Sequence, residues 1–100
     1  MAYYVYILYS EKSGQFYKGQ TSDITDRLSR HNSGFEKATA RYAPWKLIWY
    51  TTKQSREQAL SLEQKIKNLS RERTIQFILK YQEEVAGPDE LLLVKQLSGC

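Results

Sequence analysis

Cysteine occurs once in this 100-residue chain, as the final residue, Cys100. No internal disulfide can form, which agrees with a reducing compartment. Histidine also occurs once, at His31. One cysteine and one histidine cannot supply the four ligands of a structural zinc site, so that class is excluded. No apolar run approaches the roughly 20 residues needed to cross a bilayer. The opening stretch "MAYYVYILYSEKSG" has too short an apolar run, and no basic flank, to read as a secretory signal. These absences point to a cytoplasmic protein with no membrane partner.

Aromatic residues, by contrast, are plentiful: eight tyrosines, three phenylalanines and two tryptophans. The net charge is +4 and the pI is about 9.2. A basic balance in a small domain favours an anionic partner, most often nucleic acid, although charge alone is weak evidence. At 100 residues there is room for one modest core and one domain.

Hydrophobic patterning divides the chain into alternating element types. "AYYVYILYS" and "FYKGQT" have strand composition, and the intervening Gly14 favours a hairpin. Ser22 and Asp23 are N-cap candidates for a helix carrying Ile24 and Leu28 and ending near Gly34. "FEKATARY" reads as a short helix or an ordered loop stopped by Pro44, and "WKLIWYTT" as a third strand. Ser55 with Gln58 resembles a capping box, opening a helix whose seam is Ala59, Leu62, Ile66 and Leu69. Ser70 can cap a further helix, with Ile75, Ile78, Leu79 and Gln82 on one side. Gly87 and Pro88 then break the chain before "DELLLVKQL". The expected fold is α+β: a small three-stranded antiparallel β-sheet flanked by helices, in the order β-β-α-(α)-β-α-α. Residues 1–84 are expected to form the domain. Residues 85–100 read as a C-terminal tail, able to hold a short helix, that docks or joins a dimer contact.

The first helix raises the functional question. Helical spacing puts Arg27 and His31 beside Ile24 and Leu28, on the side that should face the core. In one reading Arg27 snorkels outward and pairs with Asp23. In the other both basic groups point into a cleft over the sheet and bind an anion. Strand alternation adds Tyr17 and Gly19 on one face of the second strand, with Phe16 and Lys18 on the other. A glycine inside a strand often marks a close approach by a ligand or another chain segment. A hairpin can set Tyr6 near Tyr17, although strand tyrosines taken singly are usually core residues. Glu63 lies beside the buried seam of the later helix. It can face a cleft or pair in solvent with Lys67 at i+4.

The ordered set "YVY" (4–6), "YKG" (17–19), Arg27, His31 and Glu63, with "HNSG", "PWKLIWY" and "EQALSLEQKIKNLSR" between and around them, resembles the GIY-YIG nuclease superfamily. The likeness is to its small single-domain bacterial members and runs over about residues 3 to 80. Two positions depart from the family name: Tyr4 replaces its first glycine, and Lys18 replaces an apolar residue in the second triplet.

The resemblance implies metal-dependent hydrolysis of phosphodiester bonds. Glu63 would hold one Mg²⁺ (or Mn²⁺), and Arg27 would neutralise charge on the phosphoryl oxygens. Tyr6 would act as base or water-orienter, with its hydroxyl tuned downward by a nearby cation or arginine, Tyr17 would support it and His31 would assist. Lys18, Gly19, Arg30, Arg41 and Lys67 are the nucleic-acid contact candidates. Lys37, Lys65, Arg71 and Arg73 add scattered positive charge. No recognition-helix motif is present, so phosphate contacts should dominate and sequence specificity should be low. The implied activity is a DNA endonuclease or nickase, with RNA left open as a substrate and DNA repair as a setting, in a monomer or weak homodimer. The alternatives are a non-catalytic nucleic-acid-binding module on the same fold, or an enzyme acting on a nucleotide or RNA.

Overall fold

The structure, a computed structural model, describes residues 2–99. Strand β1 (Tyr3–Ser10) turns through residues 11–14 into β2 (Gln15–Thr21), and Gly14 supplies the positive φ of +72° that this turn needs. Helix α1 (Ile24–Ser33), the one-turn α2 (Lys37–Ala40) and strand β3 (Trp45–Lys53) follow. Helices α3 (Arg56–Lys67) and α4 (Arg71–Lys80), a 3₁₀ turn (Gln82–Glu84) and helix α5 (Pro88–Leu97) complete the chain.

The sheet is fully antiparallel, in the order β2-β1-β3. This is the expected α+β arrangement. Its centre is β1, which is buried from Val5 to Ser10 on both faces and therefore shows little alternation of apolar and polar residues. Val5, Ile7 and Tyr9 pack with Ala59 and Ile66 of α3, Ile75 and Ile78 of α4 and Val94 of α5. Tyr6 and Leu8 point the other way. With Trp45 they gather Tyr17, Ile24, Leu28 and Tyr42 into a second, smaller core. Helices thus cover both faces of a three-stranded sheet.

The capping chemistry explains where the helices start and stop. Asp23 accepts a hydrogen bond from the Asp26 backbone N–H, and Ser55 and Ser70 do the same for Gln58 and Arg73. Gly34, at φ +86°, ends α1 in the left-handed conformation. Of the expected face of α4, Gln82 falls outside the helix, in the 3₁₀ turn.

The segment expected as a tail is tied to the sheet as far as the description runs. Val85 bridges to Trp49, and the Ala86 N–H donates to the Ile48 carbonyl at 2.8 Å. Val94 of α5 is fully buried. Cys100 lies outside the described residues.

Candidate active site

The hairpin register builds the floor of the site. Tyr6 pairs directly with Gly19, and Leu8 with Tyr17, so all four side-chain positions share one face. A Cβ placed on Gly19 would fall 2.6 Å from the Tyr6 hydroxyl oxygen and 2.8 Å from the ring carbon that bears it. Gly19 therefore exists so that the Tyr6 phenol can lie across β2. This corrects its expected role as a nucleic-acid contact, because Gly19 is buried and the space above it is filled by the protein's own tyrosine.

Helix α1 closes over that face. His31 does not border the core but enters it: Tyr6 and His31 are each 1% exposed. The Tyr6 hydroxyl lies 3.1 Å from His31 Nε2, and His31 Nδ1 lies 2.8 Å from Thr39 Oγ1. Thr39 commits its one hydroxyl proton to the Glu36 carbonyl at 3.3 Å. Its oxygen must then accept from His31 Nδ1–H, which leaves Nε2 as the acceptor for the Tyr6 hydroxyl. Thr39 is itself fixed from behind by the Trp45 indole N–H, which donates to its carbonyl at 2.9 Å. The Tyr17 ring packs on the imidazole with centroids 4.7 Å apart. Thr39 was not singled out in the sequence. Its signal was a threonine within "FEKATARY", a segment with no clear periodicity.

Burial governs the acid–base character of this chain of bonds. It pushes the Tyr6 hydroxyl far above the ordinary tyrosine value, the neighbouring Tyr17 adds to the rise, and Arg27 opposes it. Arg27 alone therefore does not tune the hydroxyl downward, because the desolvation of a phenol inside a core outweighs one nearby guanidinium. His31 moves down from its usual 6.5, first through burial, with Glu36 opposing and Arg27 reinforcing the shift. At neutral pH the pair is a neutral phenol donating to a neutral imidazole.

Arg27 and Glu63 both act electrostatically on the Tyr6 hydroxyl, in opposite senses: Arg27 lowers its pKa and Glu63 raises it. Asp23 is engaged as the α1 cap, and no Arg27–Asp23 ion pair forms among the described residues. Arg27 is half-buried instead, and its Nε is buried without an acceptor. Such an orphaned donor costs about 1–3 kcal/mol, so the guanidinium fits an anion that supplies the missing acceptor. The Glu63 side chain is only 14% exposed, yet it also pairs with Lys67 at 3.6 Å. Both readings of that glutamate meet in one geometry. The Lys67 side chain is half in solvent, so this ion pair holds the carboxylate only weakly.

Among the described residues no group of three or more histidine, cysteine, aspartate or glutamate side chains could cage a metal ion. A single carboxylate suits a hard cation that keeps most of its water shell and takes further oxygens from a phosphate. Glu63 fits Mg²⁺ or Mn²⁺ in that mode only.

The remaining contact candidates are largely occupied. Lys18, on the face opposite Tyr17, donates from Nζ to the Leu69 carbonyl at 3.4 Å, just past the end of α3, and burial lowers its ammonium pKa. It braces a helix terminus where a phosphate contact was expected. Arg30 pairs with Asp26 at 3.4 Å and reaches Glu36 at 4.0 Å. Arg41 lies 5.8 Å over the Tyr42 ring, and Lys67 is the Glu63 partner. A link unforeseen in the sequence is Asn32, whose amide donates to the Trp45 carbonyl at 3.1 Å and accepts from the Trp45 N–H. It stitches α1 to β3 one residue beyond His31.

Comparison with known proteins identifies the family. The model of the GIY-YIG catalytic domain matches residues 2–76. The UPF0213 protein BH0048 of Halalkalibacterium halodurans is 37% identical over 79 residues, covering 78% of this chain and 83% of that protein. UPF0213 proteins of Lacticaseibacillus paracasei and Streptococcus pneumoniae are 35% and 36% identical, covering 82% and 80% of this chain and 92% and 81% of their own. The solution NMR structure of BH0048, from Bacillus halodurans, superposes with a TM-score of 0.56 at 34% identity, covering 90% of this chain and 92% of that one. The family match spans three quarters of the chain and these relatives exceed 30% identity over most of it, so the chain belongs to the GIY-YIG catalytic domain family, with the nuclease-type function that membership carries.

Proposed function

We propose that the protein is a metal-dependent DNA endonuclease that nicks one strand per visit, with low sequence specificity. The observation that carries this reading is the buried Tyr6–His31 hydrogen bond with Arg27 and Glu63 both in electrostatic reach of the Tyr6 hydroxyl. Glu63 would hold Mg²⁺ or Mn²⁺, which supplies Lewis-acid polarisation of the scissile phosphate. Arg27 neutralises negative charge building on the phosphoryl oxygens, the task its unsatisfied guanidinium suits.

No tyrosinate is needed. A water bound to the Tyr6 oxygen gives its proton to that oxygen while the phenolic proton passes to His31 Nε2. His31 becomes doubly protonated, with Nδ1–H still held by Thr39. A neutral imidazole accepts at pH 7, and its lowered basicity makes the step slow. Tyr6 is almost wholly buried, so productive binding requires the α1 side to open slightly, which also favours slow turnover. A cytoplasmic setting in DNA repair, and a monomer or weak homodimer, complete the reading.

Purified protein incubated with supercoiled plasmid, with Mg²⁺ or Mn²⁺ and again with chelator, tests it. The expected result is relaxed circles that require the cation. Salt-dependent binding with no cleavage would favour the binding module instead.

A further inference from the structure

A second basic side chain shares a hollow with Arg27. Arg27 lines an open hollow of about 190 Å³ together with Tyr3, Gln20, Thr21, Ser22 and Arg56. No acidic residue lines it, and among the described residues neither arginine has a carboxylate within 4.0 Å. Two guanidiniums converging on one hollow without a counter-charge repel each other unless an anion lies between them.

Arg56 is also misplaced by the local rules of its helix. It is the first residue of α3, where the macrodipole disfavours a cation, and Ser55 already provides the cap. Glu57 in the same turn meets the macrodipole, and Arg56 remains a residue that goes against the local rule, as residues at functional positions do. Along α3, Arg56, Leu60, Glu63 and Lys67 follow at i, i+4, i+7 and i+11, one continuous stripe. Arg56 therefore stands two turns, a rise of about 10 Å along the helix, before Glu63. The Thr21 hydroxyl is engaged with Asp23, donating to its carbonyl and accepting from its N–H. Ser22 is exposed at the rim.

We infer that Arg56 and Ser22 form a phosphate subsite that holds a non-scissile backbone phosphate of the nucleic-acid strand beside the Tyr6–His31 centre, with Arg27 lying between that phosphate and the scissile one. The bidentate guanidinium suits a phosphate diester, and such a contact fixes register and orientation without reading sequence. The inference rests on the nuclease reading for the identity of the strand, but phosphate binding in the hollow can be read without any cleavage.

The test combines two measurements on the full chain. In the first, backbone amide resonances of Thr21 and Ser22 are followed by NMR while inorganic phosphate, or a short single-stranded oligonucleotide, is added without divalent cation. In the second, oligonucleotide affinity is measured against salt for wild type, Arg56→Ala and Arg56→Lys. Arg73→Ala, which lines a different hollow, serves as the control. Expected are shifts at both amides with both probes, lost in Arg56→Ala. The same variant should lose about tenfold in affinity and about one unit of salt slope, and Arg56→Lys should restore the slope but only part of the affinity. An Arg56→Ala slope equal to that of Arg73→Ala, or amides 21 and 22 unmoved by either probe, would overturn the inference even if the protein cuts DNA. Shifts with inorganic phosphate but not with the oligonucleotide would overturn the assignment to a strand. Both expected results without any cleavage would uphold the subsite while the nuclease reading failed.

Discussion

At the scale of single residues, the site is a burial problem solved by hydrogen bonds. Tyr6, His31 and Thr39 are polar groups in a core, each tolerable because the next one satisfies it. His31 is the only histidine, so its NMR titration is unambiguous. The midpoint should fall below 6.5, with Nδ1 protonated in the neutral form. A midpoint above 6.5, or an Nε2–H tautomer, would contradict the bonding described. The same shift makes a stability prediction. Well above pH 6.5 the histidine is neutral in both folded and unfolded chains and contributes no pH dependence. As pH falls below 6.5 the unfolded chain binds the proton first, so stability declines until the lower folded pKa is passed. Cleavage should decline in the same acid range, because a protonated His31 cannot accept from Tyr6.

Gly19→Ala tests the fit of Tyr6 over β2. Adding one methyl group against the phenol should cost about 1–3 kcal/mol in denaturant unfolding and should disturb the His31 resonance. An unchanged midpoint and spectrum would show that the ring has room to move. Strand alternation was enough to put Tyr17 and Gly19 on one face, and helical spacing enough to put Arg27 one turn from His31. The depth of His31 was not legible. It depends on Tyr6, 25 positions earlier, and Thr39, eight positions later, and neither pairing leaves a local pattern.

At the scale of elements, α2 does more than its four residues suggest. It brings Thr39 under α1, and the Trp45 indole then locks it from β3. Thr39→Val keeps the shape but removes the acceptor for Nδ1–H, leaving a buried donor unsatisfied at a cost of about 1–3 kcal/mol. Its diagnostic effect is on the imidazole tautomer and the pH profile of cleavage, which Thr39→Ser should restore. Lys18 shows the same limit of local reading. Alternation placed it correctly away from Tyr17, but its partner is a carbonyl 51 positions later at the end of α3. Helix α5 is legible as a helix from Pro88 and the following leucines, yet its place in the core is not, since Val94 reads like any apolar residue in a tail. Val94→Ala should destabilise the protein by about 2 kcal/mol through lost burial and the cavity left behind. A change under about 0.5 kcal/mol would place α5 outside the cooperative unit.

At the scale of the whole molecule, a central strand buried on both faces separates two jobs. The α3–α4–α5 face supplies most of the apolar core, and the α1–α2 face supplies the chemistry. Glu63 belongs to the structural side by its helix but acts on Tyr6 from there, so the two halves meet at one hydroxyl. The basic excess is not spread as a uniform footprint: Arg30, Lys46 and Lys67 have acidic partners, and among the described residues Arg27 and Arg56 converge on a hollow without one. The measurement that tests the central claim most directly is plasmid nicking by wild type, Arg27→Ala and Glu63→Ala in parallel, each with Mg²⁺ or Mn²⁺. The account predicts cation-dependent nicks by wild type and a loss of about a hundredfold or more in each folded variant. Equal cleavage by all three proteins would contradict it.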